Sequence, residues 1–251
     1  MVISLPKPGE ENALEKRTCD LENLTREACS DLQNADPDAR RWIVAAFAGT
    51  TKRDTAKRWF IRQALQEANQ MPEWLFVPMI RAAVYEQDHS FNGWYIYPCL
   101  RCFGPHRVND ELFRYLEAGT NVEKAEGFKA FYHSTHRQHI EAFYRLNGGE
   151  IDPPEYFINL KQRLADWLLT EFVANPDLDV RRRIVVSLRV VPENYSPEIR
   201  PLLSQAIKLA SEHTDTFIRN EMRHKLGEDV PRLPWPPLTN SQNTKRKRRF
   251  I

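Results

Sequence analysis

A stretch in the second half of the chain, Asn175 to Leu188 (NPDLDVRRRIVVSL), returns in altered form near the N-terminus as Asn34 to Phe47 (NADPDARRWIVAAF). Aligned without a gap, Asn34 meets Asn175, Asp36 meets Asp177, Asp38 meets Asp179, and Arg40-Arg41 meets Arg181-Arg182. Ile43-Val44 falls on Ile184-Val185. A fainter third copy, Thr214 to Leu226 (TDTFIRNEMRHKL), keeps Asp215, Ile218, Arg219 and Leu226 in register. An acid that can cap a helix, an arginine one turn later and apolar residues at helical spacing describe one unit used repeatedly. A chain built this way buries its apolar faces by stacking neighbouring units.

Composition points the same way. Glycine is scarce at 9 residues, proline is plentiful at 17, and 41% of the 251 residues are hydrophobic. That favours helix over sheet and allows a sizeable core. No run of 18 apolar residues suggests a membrane span, and MVISLPKPGEEN lacks the pattern of a secretion signal. Four cysteines without such a signal predict free thiols in a reducing, cytoplasmic setting. The net charge is +2, but Lys245, Arg246, Lys247, Arg248 and Arg249 alone supply five positive charges, which leaves −3 on the remainder. A body of that sign is a poor general nucleic-acid surface, although a local basic groove is compatible with it.

Residues 1–33 read as an arm followed by a thin-striped capping helix. Asp36-Pro37 is an N-cap followed by proline at the first helical position. Helices are expected over 110–117, 122–146, 156–173, 178–190 and 196–211. Pro78, Pro98 and Pro201 fall at matching places in PMIRAA, PCLRCF and PLLSQA, where each is expected to kink a helix. Gly148-Gly149 and Asp152-Pro153-Pro154 break the chain. The expected organisation is an arm and cap over 1–33, a repeat domain over 34–227, and a proline-rich then basic flexible tail over 228–251.

The Asp-x-x-x-Arg starts at 36–40, 177–181 and 215–219, with the three first-helix prolines, resemble the HEAT-repeat family. The resemblance spans residues 34–227 and implies an all-α solenoid of ten or eleven helices in antiparallel pairs. It also implies that an Asp and an Arg of each second helix hydrogen-bond along the stack.

Several constellations invite a chemical reading. His133, His136 and His139 sit three apart on what reads as one helix, and three imidazoles can bind a transition metal. No second ligand-rich segment supports them, and a solvated polar face is the plainer reading. Cys99 and Cys102 form a lone CxxC, better read as core packing than as half a zinc site. Arg40, Arg41, Arg181 and Arg182 can bind phosphate or acidic peptide, or can bridge repeats. Trp94 and Tyr95 follow a loop-like stretch and are candidates for an exposed contact. Trp235, between prolines, either docks a partner or folds back on the last helix. The tail 245–249 can contact an anionic partner. No phosphate-binding glycine loop, nucleophile elbow or HExxH motif occurs.

The expected function is a non-enzymatic scaffold, without cofactor or membrane attachment, that binds a protein or peptide in its concave surface. The alternative is a nucleic-acid-binding protein such as a DNA-repair glycosylase, because one glycosylase family is built from HEAT-like repeats. Trp42, Trp59 and Asp38 would be its candidates. A tetrapyrrole lyase or chaperone has only the fold in its favour.

Overall fold

The computed structural model describes residues 34–35, 37–48, 65, 70–86, 89–149 and 154–236. These form ten α-helices and no strand: α1 (Pro37–Ala48), α2 (Phe76–Tyr85), α3 (His89–Phe103), α4 (Pro105–Ala118), α5 (Asn121–Ser134), α6 (Arg137–Asn147), α7 (Pro154–Ala174), α8 (Leu178–Ser187), α9 (Leu202–Ser211) and α10 (Thr216–Lys225). Among the described residues no helix is long and apolar enough to cross a membrane. The chain divides into two compact units. Of the described residues, the first takes those up to Phe113 and from Lys129 to 149, and the second takes Arg114–Phe128 and 154–236.

In the first unit α2 packs on α3, α3 on α6 and α1 on α2. Phe76, Met79, Ile80 and Ala83 of α2 and Ile96, Cys99 and Leu100 of α3 are buried, the three-and-four spacing that puts one helix face inward. The Asn92 side chain, fully buried in α3, donates through Nδ2 to the Ala83 carbonyl near the end of α2 (2.6 Å). Arg107 pairs with both carboxylate oxygens of Glu73, and its guanidinium stacks 4.1 Å from the Phe76 ring centroid.

In the second unit α7 packs on α8 and on α9, and α10 packs on α8 and on α9. Their shared interior holds Leu169, Phe172, Val180, Ile184, Val185, Ala206, Ala210, Ile218 and Met222. Burying a Leu, Ile, Phe or Met there is worth about 1.5–3 kcal/mol each. The connection from α8 to α9 is tied down by Tyr195. Its buried hydroxyl donates to the Arg189 carbonyl (2.6 Å) and accepts from the Arg189 N–H (2.9 Å).

Three prolines had been expected to kink helices, and only Pro98 lies well inside one. Pro78 occupies the first turn of α2, where its missing N–H has no partner to lose. Pro201 is the N-cap of α9 and stands outside it. The expected continuous helix 122–146 is instead two, α5 and α6, parted at Thr135 and His136. No glycine or proline marks that break. Ser134 and Thr135 each turn a hydroxyl back to the carbonyl three residues earlier, on Phe131 (2.8 Å) and Tyr132 (3.4 Å), and such side-chain bonds compete with the helical ladder. The arm and capping helix expected over residues 1–33 lie outside the described residues.

Candidate functional site

The most organised polar region lies in the second unit, where α5, α8 and α10 begin. Each of these helices is capped by a side chain. Thr120 and Glu123 make a reciprocal capping box for α5: the Glu123 N–H donates to Thr120 Oγ1 (3.3 Å) and the Thr120 N–H donates to Glu123 Oε2 (2.8 Å). Asp177 accepts from the N–H groups of Asp179 and Val180, both at 3.0 Å, and Asp215 accepts from that of Ile218 at 3.0 Å.

Two of the capping acids also accept a bond from a neighbouring helix. Asn121 Nδ2 donates to Asp177 Oδ2 (3.2 Å) and Asn175 Nδ2 to Asn121 Oδ1 (2.8 Å). Arg182 of α8 donates through Nη2 to Asp215 Oδ2 (2.6 Å). Burial alone would raise the Asp215 carboxyl. The hydrogen bonds from Arg182 and Ile218 and the field of Arg182 and His213 more than offset it and hold the group below its ordinary value. Nearby, Lys124 Nζ lies 2.7 Å from Glu171 Oε1.

One residue further along, α5 and α8 meet through charges that are almost wholly buried. Glu126 Oε1 lies 3.6 Å from Arg183 Nη2. Arg183 is only 5% exposed, and its Nε and Nη1 have no hydrogen-bond partner. Burial lowers its affinity for the proton, opposed by Glu126 and Asp179. The Trp235 ring covers it, with the centroid 4.7 Å from the guanidinium carbon.

The arginines proposed from sequence as contacts thus have partners inside the chain. Arg40, Arg181 and Arg219, each four residues after its acid, donate to a main-chain carbonyl that precedes the acid: Ala35 (2.8 Å), Phe172 (3.2 Å) and His213 (2.6 Å). Arg41 pairs with Asp38 as Arg182 pairs with Asp179, three residues apart in both copies. The two copies differ in burial: Arg41 and Asp38 are exposed, whereas Arg182 and Asp179 are enclosed. Lys124, four residues after the α5 cap Thr120, stands at the matching place but pairs with Glu171.

In the first unit the three histidines do not line one helix. His133 lies in the last turn of α5, His136 stands just before α6 without capping it through its side chain, and His139 lies in the first turn of α6. They gather around the ring of Tyr97 from α3. The phenol oxygen is 2.8 Å from His133 Nδ1, and the His139 ring stacks on Tyr97 at 4.2 Å and 18°. Burial, the charge of Arg101 and that of His136 lower the His139 pKa to about 4. Among the described residues no group of three or more His, Cys, Asp or Glu has the geometry to hold a metal ion. Sequence reasoning missed Tyr97, because the residue that gathers the histidines lies on another helix.

Tyr95 and Trp94 were expected near a loop. They lie within α3, where Tyr95 is 3% exposed and the half-buried Trp94 tilts against Phe91 at 4.2 Å. Cys99 and Cys102 are free thiols, Cys99 buried and pushed well above the ordinary thiol value by that burial. Trp59, the side chain of Trp42 and the basic residues 245–249 lie outside the described residues. Comparison with protein-family models, curated proteins and solved structures finds no match to this chain.

Proposed function

We propose that the chain is a HEAT-like helical-repeat scaffold that binds a protein or peptide partner along its second helices. The observation that supports this reading most is that two of the capping acids are also bonded from a neighbouring helix: Asp177 by Asn121 of α5, and Asp215 by Arg182 of α8. The Arg182–Asp215 bond, with α7 packed on α9 and α8 on α10, supports a reading of hairpin α7–α8 beside hairpin α9–α10, as in a solenoid whose units contact only their neighbours. In the second copy Arg182, Asp179 and Asp215 are enclosed and paired with one another, so recognition falls to the exposed side chains of the concave surface.

The test separates this reading from the nucleic-acid alternative. Duplex DNA is titrated into the full chain, and into a chain lacking 238–251, at several salt concentrations. In parallel, a random peptide library is selected on the truncated chain. The scaffold reading expects any DNA affinity to disappear with the basic tail, and selected peptides to protect amides of α8 and α10 from exchange. Salt-dependent DNA binding that survives removal of the tail overturns it.

A further inference from the structure

The segment after α10 is already seated on α8 and α10. It leaves the helix through Gly227, whose φ of +87° suits a residue without a side chain. The Glu228 N–H donates to the Arg223 carbonyl (3.0 Å), and its carboxylate accepts from Arg223 Nε (2.6 Å). Residues 228–236 carry no helix. Asn220 Nδ2 of α10 donates to the Pro231 carbonyl (3.1 Å). Val230 is buried and Leu233 packs on the hydrophobic interior. Trp235 stands edge-on to Phe217 at 5.8 Å and covers Arg183, yet keeps 44% of its surface exposed.

This face offers donors and an aromatic wall. Asn220 meets a main-chain carbonyl, and Arg183 holds two buried N–H-bearing nitrogens without a partner. The seated segment meets the Asn220 donor with a carbonyl and lays the Trp235 ring, not an acceptor, over the Arg183 guanidinium. The class of ligand is that of the segment seated there, a main-chain carbonyl on Asn220 and an aromatic ring on Arg183. Proline brings a carbonyl without an N–H that would itself need a partner, and holds the chain extended. Aromatic-lined surfaces read such segments at low entropic cost.

We propose that the α8–α10 face is a recognition site for an extended peptide with a proline-flanked aromatic residue, and that 228–236 occupies it as a tethered pseudoligand. This rests on the scaffold reading and names its ligand class. A partner peptide of this kind binds by displacing Trp235.

The experiment uses a dye-labelled peptide EDVPRLPWPP, the chain's own residues 228–237, titrated into the full chain by fluorescence anisotropy. A short tether gives the built-in copy an effective concentration in the millimolar range, so the unaltered chain should bind the free peptide weakly. Trp235→Ala should bind it at least about tenfold more tightly, and adding Asn220→Ala should return the affinity to the starting level. Equal binding by the unaltered chain and Trp235→Ala, or a double variant that binds as tightly as Trp235→Ala, overturns the proposal. A photo-reactive residue in place of the peptide's tryptophan supplies a readout on the unaltered chain that does not depend on how the variants fold. Cross-links at Phe217 or Arg183 support the site, and cross-links only elsewhere overturn it. A library-selected peptide that binds another face sinks this site and leaves the scaffold reading standing.

Discussion

Arg182 ties α8 to Asp215 at the start of α10. Arg182 Nη2 lies 2.6 Å from Asp215 Oδ2, with both side chains mostly buried. The same carboxylate caps α10 through the Ile218 N–H, so one acid serves the helix and the seam together.

Asp215→Ala should therefore lose a cap and leave the enclosed Arg182 cation with Asp179 alone, at a cost of about 2 kcal/mol in urea unfolding. Arg182→Ala takes the cation from both Asp179 and Asp215 and should cost at least as much. A double-mutant cycle should return a coupling of about 1–2 kcal/mol. Additive effects would mean that the pair does not join α8 to α10.

Tyr195→Phe should cost about 1–3 kcal/mol. The change leaves the packing ring in place but strips both the N–H and the carbonyl of Arg189 of their partner. Thermal unfolding reads the loss, and an unchanged midpoint contradicts the role given to the hydroxyl.

Gly104 and Gly148 both hold positive φ, +83° and +66°, so alanine strains each by roughly 1–2 kcal/mol. A side chain at Gly104 would also sit 2.7 Å from the Phe143 ring, whereas the space at Gly148 is open. Gly104→Ala should accordingly be the more destabilising of the two in matched denaturant curves.

His139 titrates at about 4 in the folded chain, against roughly 6.5 in an unfolded one. The folded state thus binds fewer protons between these values, and stability should fall as pH drops from about 6.5 towards 4. Because the ring is only partly enclosed, the loss should be roughly 1–2 kcal/mol, well short of the full shift. His139→Gln should flatten that slope in melts taken across the interval.

Much of the helical framework can be read from the chain. Asp177 and Asp215 announce their helices because a short acid before an apolar stripe is a cap whatever surrounds it. Pro201 misleads, since a proline's missing N–H costs nothing at a helix start and the sequence does not say where the start falls. The break at Thr135 is hidden because hydroxyl bonds cause it. That break redistributes the three histidines, and Tyr97 gathers them from another helix. The burial of Arg183 beneath Trp235 joins residues far apart in sequence, which helical periodicity cannot foresee.

Hydrogen exchange, followed by mass spectrometry on the unaltered chain and on Arg182→Ala, tests the joining of α8 to α10 most directly. The account predicts faster exchange in α9 and α10, with α7 keeping its protection and α2 and α3 unchanged. Uniform loss of protection across both units, or no change in α10, would contradict it.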